Sequence, residues 1–189
     1  MFFRYKYIPN YLSLLRIFLT PIFTIAMFQN TFFYKLISLK IFFFASLSDF
    51  LDGYIARKYN FVSNFGKNID PISDKILVIT SFIVLSIFYP SIVTFWMVCL
   101  IVLRDILVIL LRYYRLKTLS PLQTSFIAKR KTLIQIIIIH LLLIFHVFKE
   151  SIPFDKSLSM QMIYFSMFMC VIFTVLTGLH YLFINRHEV

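Results

Sequence analysis

Residues 126–148 read FIAKRKTLIQIIIIHLLLIFHVF, a short basic stretch followed by a long and almost uninterrupted apolar run. An α-helix rises about 1.5 Å per residue, so roughly twenty apolar residues are enough to cross the ~30 Å hydrocarbon layer of a bilayer. A membrane β-barrel would instead show segments of about ten alternating residues separated by turn residues. This stretch therefore predicts a transmembrane helix.

The rest of the chain repeats this pattern. Its 189 residues are 60% hydrophobic and 14% charged, with 3 glycines and 6 prolines, which excludes a soluble globule and a disordered linker. We predict a single all-α domain over residues 1–189, a polytopic membrane protein with six transmembrane helices and an N-terminal basic juxtamembrane segment. The predicted spans are about 11–28, 34–56, 70–89, 91–112, 126–148 and 157–184.

Lysine and arginine are distributed unevenly between the predicted connections. They cluster before the first span and in the connections after the second and fourth, whereas the alternate connections carry few. By the positive-inside rule, the clustered connections face the cytoplasm. The net charge of +11 would suggest a nucleic-acid partner for a soluble protein. In a membrane protein it indicates contact with the anionic headgroups of the lipid bilayer, and no nucleic acid is expected.

The acidic residues are concentrated in one short stretch. Only eight occur in the chain, and four of them, Asp49, Asp52, Asp70 and Asp74, lie within twenty-six residues. On helices, the spacings i, i+3 and i, i+4 place each pair of carboxylates on one face. Four carboxylates in a partly desolvated place repel one another unless cations compensate them. The stretch therefore predicts a site for hard divalent cations, Mg²⁺ or Mn²⁺.

Small residues fall in the same stretch. Gly53 and Gly66 are two of the three glycines, and Ala56 follows Gly53 at i+3. Such positions let a bulky, flat group approach the backbone, and Arg57 beside them suits a phosphate. Taken singly, a small residue on a membrane helix is more often a packing contact, and a lone aspartate at a helix end is more often solvated. Their conjunction favours a site for a nucleotide diphosphate.

The stretch from Asp49 to Asp74 resembles the signature of the CDP-alcohol phosphatidyltransferases. It reads DFLDGYIAR at 49–57, then eight residues, Gly66, three residues, Asp70, three residues and Asp74. The segment IPNYLSLLR at 8–16 is also similar to the family's usual entry into its first span. The six predicted spans agree with the family, and spans five and six match it in character more than in residues. The resemblance covers most of the chain.

This resemblance implies a reaction and a set of site residues. The family transfers the phosphatidyl group of CDP-diacylglycerol to an alcohol with the help of two divalent metal ions, and releases CMP. The matching positions imply that the metal ligands are Asp49, Asp52, Asp70 and Asp74, that the catalytic base is Asp74, and that the CDP-binding residues are Asp52, Gly53, Ala56, Arg57 and Gly66. The family also implies a homodimer. It fits a bacterial inner (cytoplasmic) membrane with the active site facing the cytoplasm, as does the absence of a transit-like leader.

The fourth predicted span contains an arginine in its middle. A charge at the position of Arg104 costs at least about 2.5 kcal/mol unless it faces a cavity or a partner. Asp105 lies about 100° around the helix and is not the expected partner. Arg112 follows two turns on, and Lys129 and Lys131 begin span five. With Arg104 they predict a site for the phosphate of the acceptor alcohol. The alternative for the lysines is that they anchor the topology at a cytoplasmic helix end.

Two kinds of synthase in the family share these features. DPISDK at 70–75, and KT at 131–132 followed by Gln135, resemble phosphatidylglycerophosphate synthases, whose acceptor is glycerol 3-phosphate. Arg104-Asp105 stands where those enzymes usually have Arg-Glu, and Ala128 where they commonly have glycine. Both features look as much like cardiolipin synthases, whose acceptor is phosphatidylglycerol. Each acceptor carries a phosphate, so the cationic residues suit either. We favour glycerol 3-phosphate as the acceptor.

A function of another class stays open, that of a membrane transporter or scaffold which keeps an acidic cation site without turnover. Its support is a set of intramembrane polar residues that could line a path, Arg16, Arg104, His140 and His146. The two histidines are six residues apart and so lie on different helix faces, which favours packed histidines over a shared ligand role. Release of CMP separates the two classes, because a transporter makes none.

Overall fold

The computed structural model describes residues 8–59, 64–118, 126–150 and 156–184, with side chains over 11–48, 72–73, 75–111, 130–150 and 158–179. These ranges contain helices and no strand, so the predicted all-α class is confirmed. The predicted basic juxtamembrane segment lies outside the described residues, apart from its last two positions. The helices are α1 (Ile8–Phe28), α2 (Phe32–Tyr59), α3 (Asn64–Phe88), α4 (Phe95–Thr118), α5 (Phe126–Phe148) and α6 (Lys156–Ile184).

Several helices extend beyond the apolar segments that predict them. α2 continues to Tyr59 instead of ending near position 56, α3 begins at Asn64 instead of position 70, and α4 occupies Phe95–Thr118 instead of 91–112. The added residues include polar and charged ones, which end an apolar run without ending a helix. Backbone groups of such a turn keep their helical hydrogen bonds, and polar side chains are favourable where a membrane helix leaves the hydrocarbon layer. Hydropathy therefore underestimates how far these helices continue.

The helices have the composition of an integral membrane protein. Within the part of the chain whose side chains are described, three of them contain segments long and apolar enough to cross a bilayer, Tyr11–Phe28, Arg130–Phe148 and Leu158–Leu179, and α3 contains the shorter apolar segment Lys75–Phe88. Large apolar side chains such as Phe18, Phe95 and Phe165 are exposed on the outside of the helices. So much exposed apolar surface is unfavourable in water and favourable in lipid.

The chain forms two compact units. The first unit comprises Met1–Val84 and His140–Ile152, and the second comprises Leu85–Ile139 and Pro153–Val189. α1 and α2 belong to the first unit, α4 and α6 to the second, and α3 and α5 contribute one end to each. The prediction of a single domain stays a prediction.

In the first unit, α1 packs along α2. The short connection at 29–31 makes the two helices antiparallel neighbours. The rings of Phe23 and Phe42 meet at a centroid distance of 5.9 Å, and Met27 and Ala45 are buried beside them. Because lipid is as apolar as these side chains, close packing and not burial from water holds the pair together.

In the second unit, α4 packs against α6. Met97 and Ile101 of α4 and Met167 and Cys170 of α6 are buried, and the rings of Trp96 and Phe168 meet edge to face. The buried face also contains polar residues, among them Arg104, Asp105 and Thr177. Polar side chains on the inner face of membrane helices are costly unless they meet partners, so these residues form a candidate functional site.

Candidate functional site

The acidic motif, residues 49–74, lies on two helices. Asp49, Asp52, Gly53, Ala56 and Arg57 are in the last part of α2, whereas Gly66, Asp70 and Asp74 are in the first part of α3. Because both segments are helical, as predicted, Asp49 and Asp52 lie one turn apart on α2, and Asp70 and Asp74 lie one turn apart on α3. The side chains of these eight residues lie outside the described part of the structure.

The donor set of the acidic motif fits divalent cations. Four aspartates supply only carboxylate oxygens, the ligands that Mg²⁺ and Mn²⁺ prefer over the nitrogen and sulfur ligands of zinc. Among the side chains that the structure does describe, no group of three His, Cys, Asp or Glu residues could hold a metal ion. The described side chains therefore contain no second candidate for a metal site besides the acidic motif.

Arg104 is buried on the inner face of α4, with 9% of its surface exposed. Its Nη1 donates a hydrogen bond to Asp105 Oδ1 at 3.1 Å, and its Nη2 donates one to Thr177 Oγ1 of α6 at 3.2 Å. The expectation that Arg104 faces a partner is confirmed. The expectation that Asp105 is not that partner is wrong, because the long arginine side chain reaches around the helix and spans the angle between adjacent positions.

Asp105 also binds Lys131 of α5. The ammonium of Lys131 donates a hydrogen bond to Asp105 Oδ1, and both residues are 1% exposed. One carboxylate oxygen thus accepts from two cations that arise from two helices, and the three groups carry a formal charge of +1. Arg104 and Lys131, two of the four predicted phosphate-binding residues, therefore share the carboxylate of Asp105, which is not among the predicted site residues. We call Arg104, Asp105, Lys131 and Thr177 the Arg104 cluster.

α6 approaches the aliphatic part of Arg104 closely. A Cβ placed on Gly178 would lie 2.8 Å from Arg104 Cγ, a distance shorter than real side chains tolerate, and 3.4 Å from its Nε. Neither Thr177 nor Gly178 was predicted as a site residue. The sequence signal that could identify Gly178 is the rarity of glycine, since the chain has only two other glycines and both lie in the acidic motif.

Gln135 lies one helical turn after Lys131 on α5. It is completely buried, and neither atom of its amide has a hydrogen-bond partner among the described residues. Burying an amide without hydrogen-bond partners lowers the free energy of unfolding by roughly 1–3 kcal/mol, so we expect water or a polar ligand to bind Gln135. The buried face of α5 in the second unit is therefore polar over at least one turn.

The other two predicted phosphate-binding residues lie on the same helices. Arg112 is two turns after Arg104 on α4, and Lys129 is in the first turn of α5. Their side chains lie outside the described part of the structure, so their role stays a prediction.

The polar residues that supported a transporter or scaffold are distributed over both units. Arg16, His140 and His146 belong to the first unit, and Arg104 belongs to the second. His140 packs edge-on against Phe42, at a ring distance of 4.9 Å, and against Phe43, at 5.9 Å. Contacts of this kind are those of a packed histidine, which is the interpretation that the sequence favours for it.

Comparisons with known proteins agree with the motif. The family model for CDP-alcohol phosphatidyltransferase matches residues 6–176. A protein of Rickettsia bellii is 36% identical over 137 residues, which cover 72% of this chain and 75% of the relative. A protein of Bacillus subtilis is 34% identical over 186 residues, which cover 92% of each chain. Each of these two relatives is named CDP-diacylglycerol–glycerol-3-phosphate 3-phosphatidyltransferase.

Proposed function

The chain belongs to the CDP-alcohol phosphatidyltransferase family, and we propose that it transfers the phosphatidyl group of CDP-diacylglycerol to glycerol 3-phosphate. The products are phosphatidylglycerophosphate and CMP, which makes the protein an enzyme of phospholipid biosynthesis. The observation that carries the proposal is the Arg104 cluster, a buried cationic group in a chain that also has the family's complete acidic motif. The names of the relatives favour glycerol 3-phosphate as the acceptor over phosphatidylglycerol.

The donor binds at the acidic motif in this proposal. Asp49, Asp52, Asp70 and Asp74 hold two divalent ions, Mg²⁺ or Mn²⁺, which when bound supply positive charge to the diphosphate of CDP-diacylglycerol. Arg57 pairs with a phosphate oxygen as a planar, permanently charged donor. Gly53, Ala56 and Gly66, together with Asp52, leave room for the cytidine.

The reaction is one displacement at phosphorus. The hydroxyl oxygen of the acceptor forms a bond to the phosphorus of the phosphatidyl group, the bond from that phosphorus to the CMP oxygen breaks, and CMP leaves with the electron pair. Asp74 accepts the proton of the attacking hydroxyl as general base. Phosphoryl transfer requires little covalent chemistry from the protein. Orientation of the two substrates and stabilisation of charge therefore account for most of the rate enhancement.

The Arg104 cluster binds the phosphate of the acceptor. Arginine has five N–H donors, and its contacts with Asp105 and Thr177 use two of them. The formal charge of +1 on Arg104, Asp105 and Lys131 attracts an anion in a setting of low dielectric, where water competes weakly. Arg112 and Lys129 extend the same positive charge on α4 and α5.

In the arrangement that we propose, all six helices cross the bilayer, with both termini and the acidic motif on the cytoplasmic side of a bacterial inner membrane. α2 and α4 are 28 and 24 residues long, which is enough for a transmembrane helix. The protein works as a homodimer, as the family implies.

The test is release of CMP by the purified protein reconstituted in vesicles with CDP-diacylglycerol and Mg²⁺ or Mn²⁺. Glycerol 3-phosphate and phosphatidylglycerol are offered in separate reactions, and a third reaction contains glycerol 3-phosphate with a chelator. We expect release with glycerol 3-phosphate, and none in the presence of the chelator. Release with phosphatidylglycerol alone would move the assignment to cardiolipin synthesis. Release with neither, in folded protein, would favour the transporter or scaffold.

A further inference from the structure

We propose that Thr177 and Gly178 of α6 are positioning residues for the acceptor, because together they hold the guanidinium of Arg104 in place for the acceptor's phosphate. The inference rests on the proposed function, since it assigns Arg104 to that phosphate. It adds to that function a role for α6, whose residues 177 and 178 lie just beyond the stretch matched by the family model.

Arg104 needs to be oriented before it can bind an anion well. Its side chain has four rotatable bonds, and fixing them on binding would cost affinity. The structure fixes both ends of the guanidinium, with Nη1 on Asp105 of its own helix and Nη2 on Thr177 of the neighbouring helix. Nε has no hydrogen-bond partner among the described residues. Nε is itself buried, so the donors left for a phosphate while both contacts persist are one N–H on each terminal nitrogen.

The hydroxyl of Thr177 is itself oriented. It donates its proton to the backbone carbonyl of Thr174, at 2.8 Å, within α6. With the proton committed to that bond, a lone pair of Oγ1 accepts from Arg104 Nη2. Thr177 thus fixes the direction of its hydrogen bond with Arg104 as well as its length. A freely rotating hydroxyl would not fix the direction.

Gly178 provides the space for this arrangement. Glycine weakens a helix interior relative to alanine, yet here a methyl group would lie 2.8 Å from Arg104 Cγ. The atom in question is near the root of the side chain, so the whole side chain must move to relieve the contact. Beside it lies a half-open groove of about 160 Å³ with apolar walls, among them Leu103, Leu107 and Val175. A displaced guanidinium would enter apolar surroundings and lose Thr177 and Asp105.

The experiment compares three variants and one control in the full-length reconstituted protein. Thr177→Val removes the hydroxyl and keeps the shape, Thr177→Ser restores the hydroxyl, and Gly178→Ala adds the methyl group. Thr24→Val is the matched control, since it makes the same chemical change in a half-buried threonine of α1 whose hydroxyl also donates to a backbone carbonyl one turn earlier in its own helix, that of Thr20. KM and kcat are measured separately for glycerol 3-phosphate and for CDP-diacylglycerol.

We expect Thr177→Val and Gly178→Ala to raise KM for glycerol 3-phosphate by about tenfold, the effect of a lost or misdirected hydrogen bond to a charged group. KM for CDP-diacylglycerol stays unchanged, Thr177→Ser resembles the wild type, and Thr24→Val leaves both values unchanged. In an Arg104→Lys background, Thr177→Val should add little, because the bond it removes is no longer made.

The inference is overturned if KM for glycerol 3-phosphate is unchanged in both variants, or if Thr177→Val has its full effect in the Arg104→Lys background. Should turnover be too low in any variant, binding of glycerol 3-phosphate to the whole protein in detergent, measured by calorimetry, provides the same comparison. A wild-type protein that uses no phosphate-bearing acceptor would refute the proposed function instead. Gly178→Ala displaces a buried cation and is expected to lower stability, so each variant is first compared with the wild type by thermal unfolding in detergent. Thr177→Val is the second, isosteric probe, which tests the proposal if Gly178→Ala fails to fold.

Discussion

The acidic motif and the Arg104 cluster differ in how their residues are arranged along the chain. The motif occupies residues 49–74, at the end of one helix and the start of the next, and its spacing alone predicts a cation and nucleotide site. The Arg104 cluster joins residues of three helices, with Arg104 and Thr177 separated by 73 positions. Helical periodicity identifies residues that share a face of one helix, but it says nothing about which faces meet. The two regions can be tested separately.

The largest effect is expected in the acidic motif. Asp74→Asn keeps the volume of the side chain but removes the base, so turnover should fall by about a hundredfold or more. The measurement is CMP release at saturating donor and acceptor. Glu150→Gln, the same acid-to-amide change at an exposed residue after α5, is the control and should leave turnover unchanged. Near-normal turnover in Asp74→Asn would remove this residue as the base.

The next effect concerns stability and the Arg104 cluster. Asp105→Ala leaves Arg104 and Lys131 as buried cations without their shared carboxylate, which should lower the free energy of unfolding by about 3–5 kcal/mol. Thermal and denaturant unfolding of the protein in detergent measure this loss. Asp105→Glu retains the charge and serves as the control.

A double variant sharpens the same comparison. Asp105→Ala combined with Lys131→Met should cost less than the sum of the two single changes, because the second substitution removes a cation that the first left uncompensated. Additive losses would show that the two side chains are energetically independent, contrary to the contact in the structure.

The smallest effect is expected outside both regions. His140→Phe preserves the edge-on packing against Phe42 and Phe43, so turnover and its dependence on both substrates should not change. The steady-state assay used for the other variants measures this. A large loss of turnover would show that His140 has a role in the reaction beyond packing against the two rings.

Much of the fold could be predicted from the sequence. Long apolar runs predict helices in the right order, since a backbone in lipid has to satisfy its hydrogen bonds internally. The ends of α2 and α3 could not be predicted in this way, because polar residues such as Lys58 and Asn64 interrupt hydropathy and not the helix. The site was predicted in part. The sequence indicates Arg104 as a charge in the middle of an apolar run and Lys131 as a basic residue at the start of the fifth span. The angle of about 100° between adjacent positions fails to indicate Asp105, because an arginine side chain is long enough to span it.

The sequence by itself determined the all-α class, the family and the composition of the acidic motif, because each depends on residue type and on spacing within one or two consecutive helices. Only the tertiary structure decided that Asp105 links Arg104 to Lys131, and that Thr177 and Gly178 border the guanidinium. Those contacts join α4 to α5 and α6. Helix propensity and hydropathy are properties of a single segment, whereas the pairing of buried polar groups depends on which helices pack together and in which register.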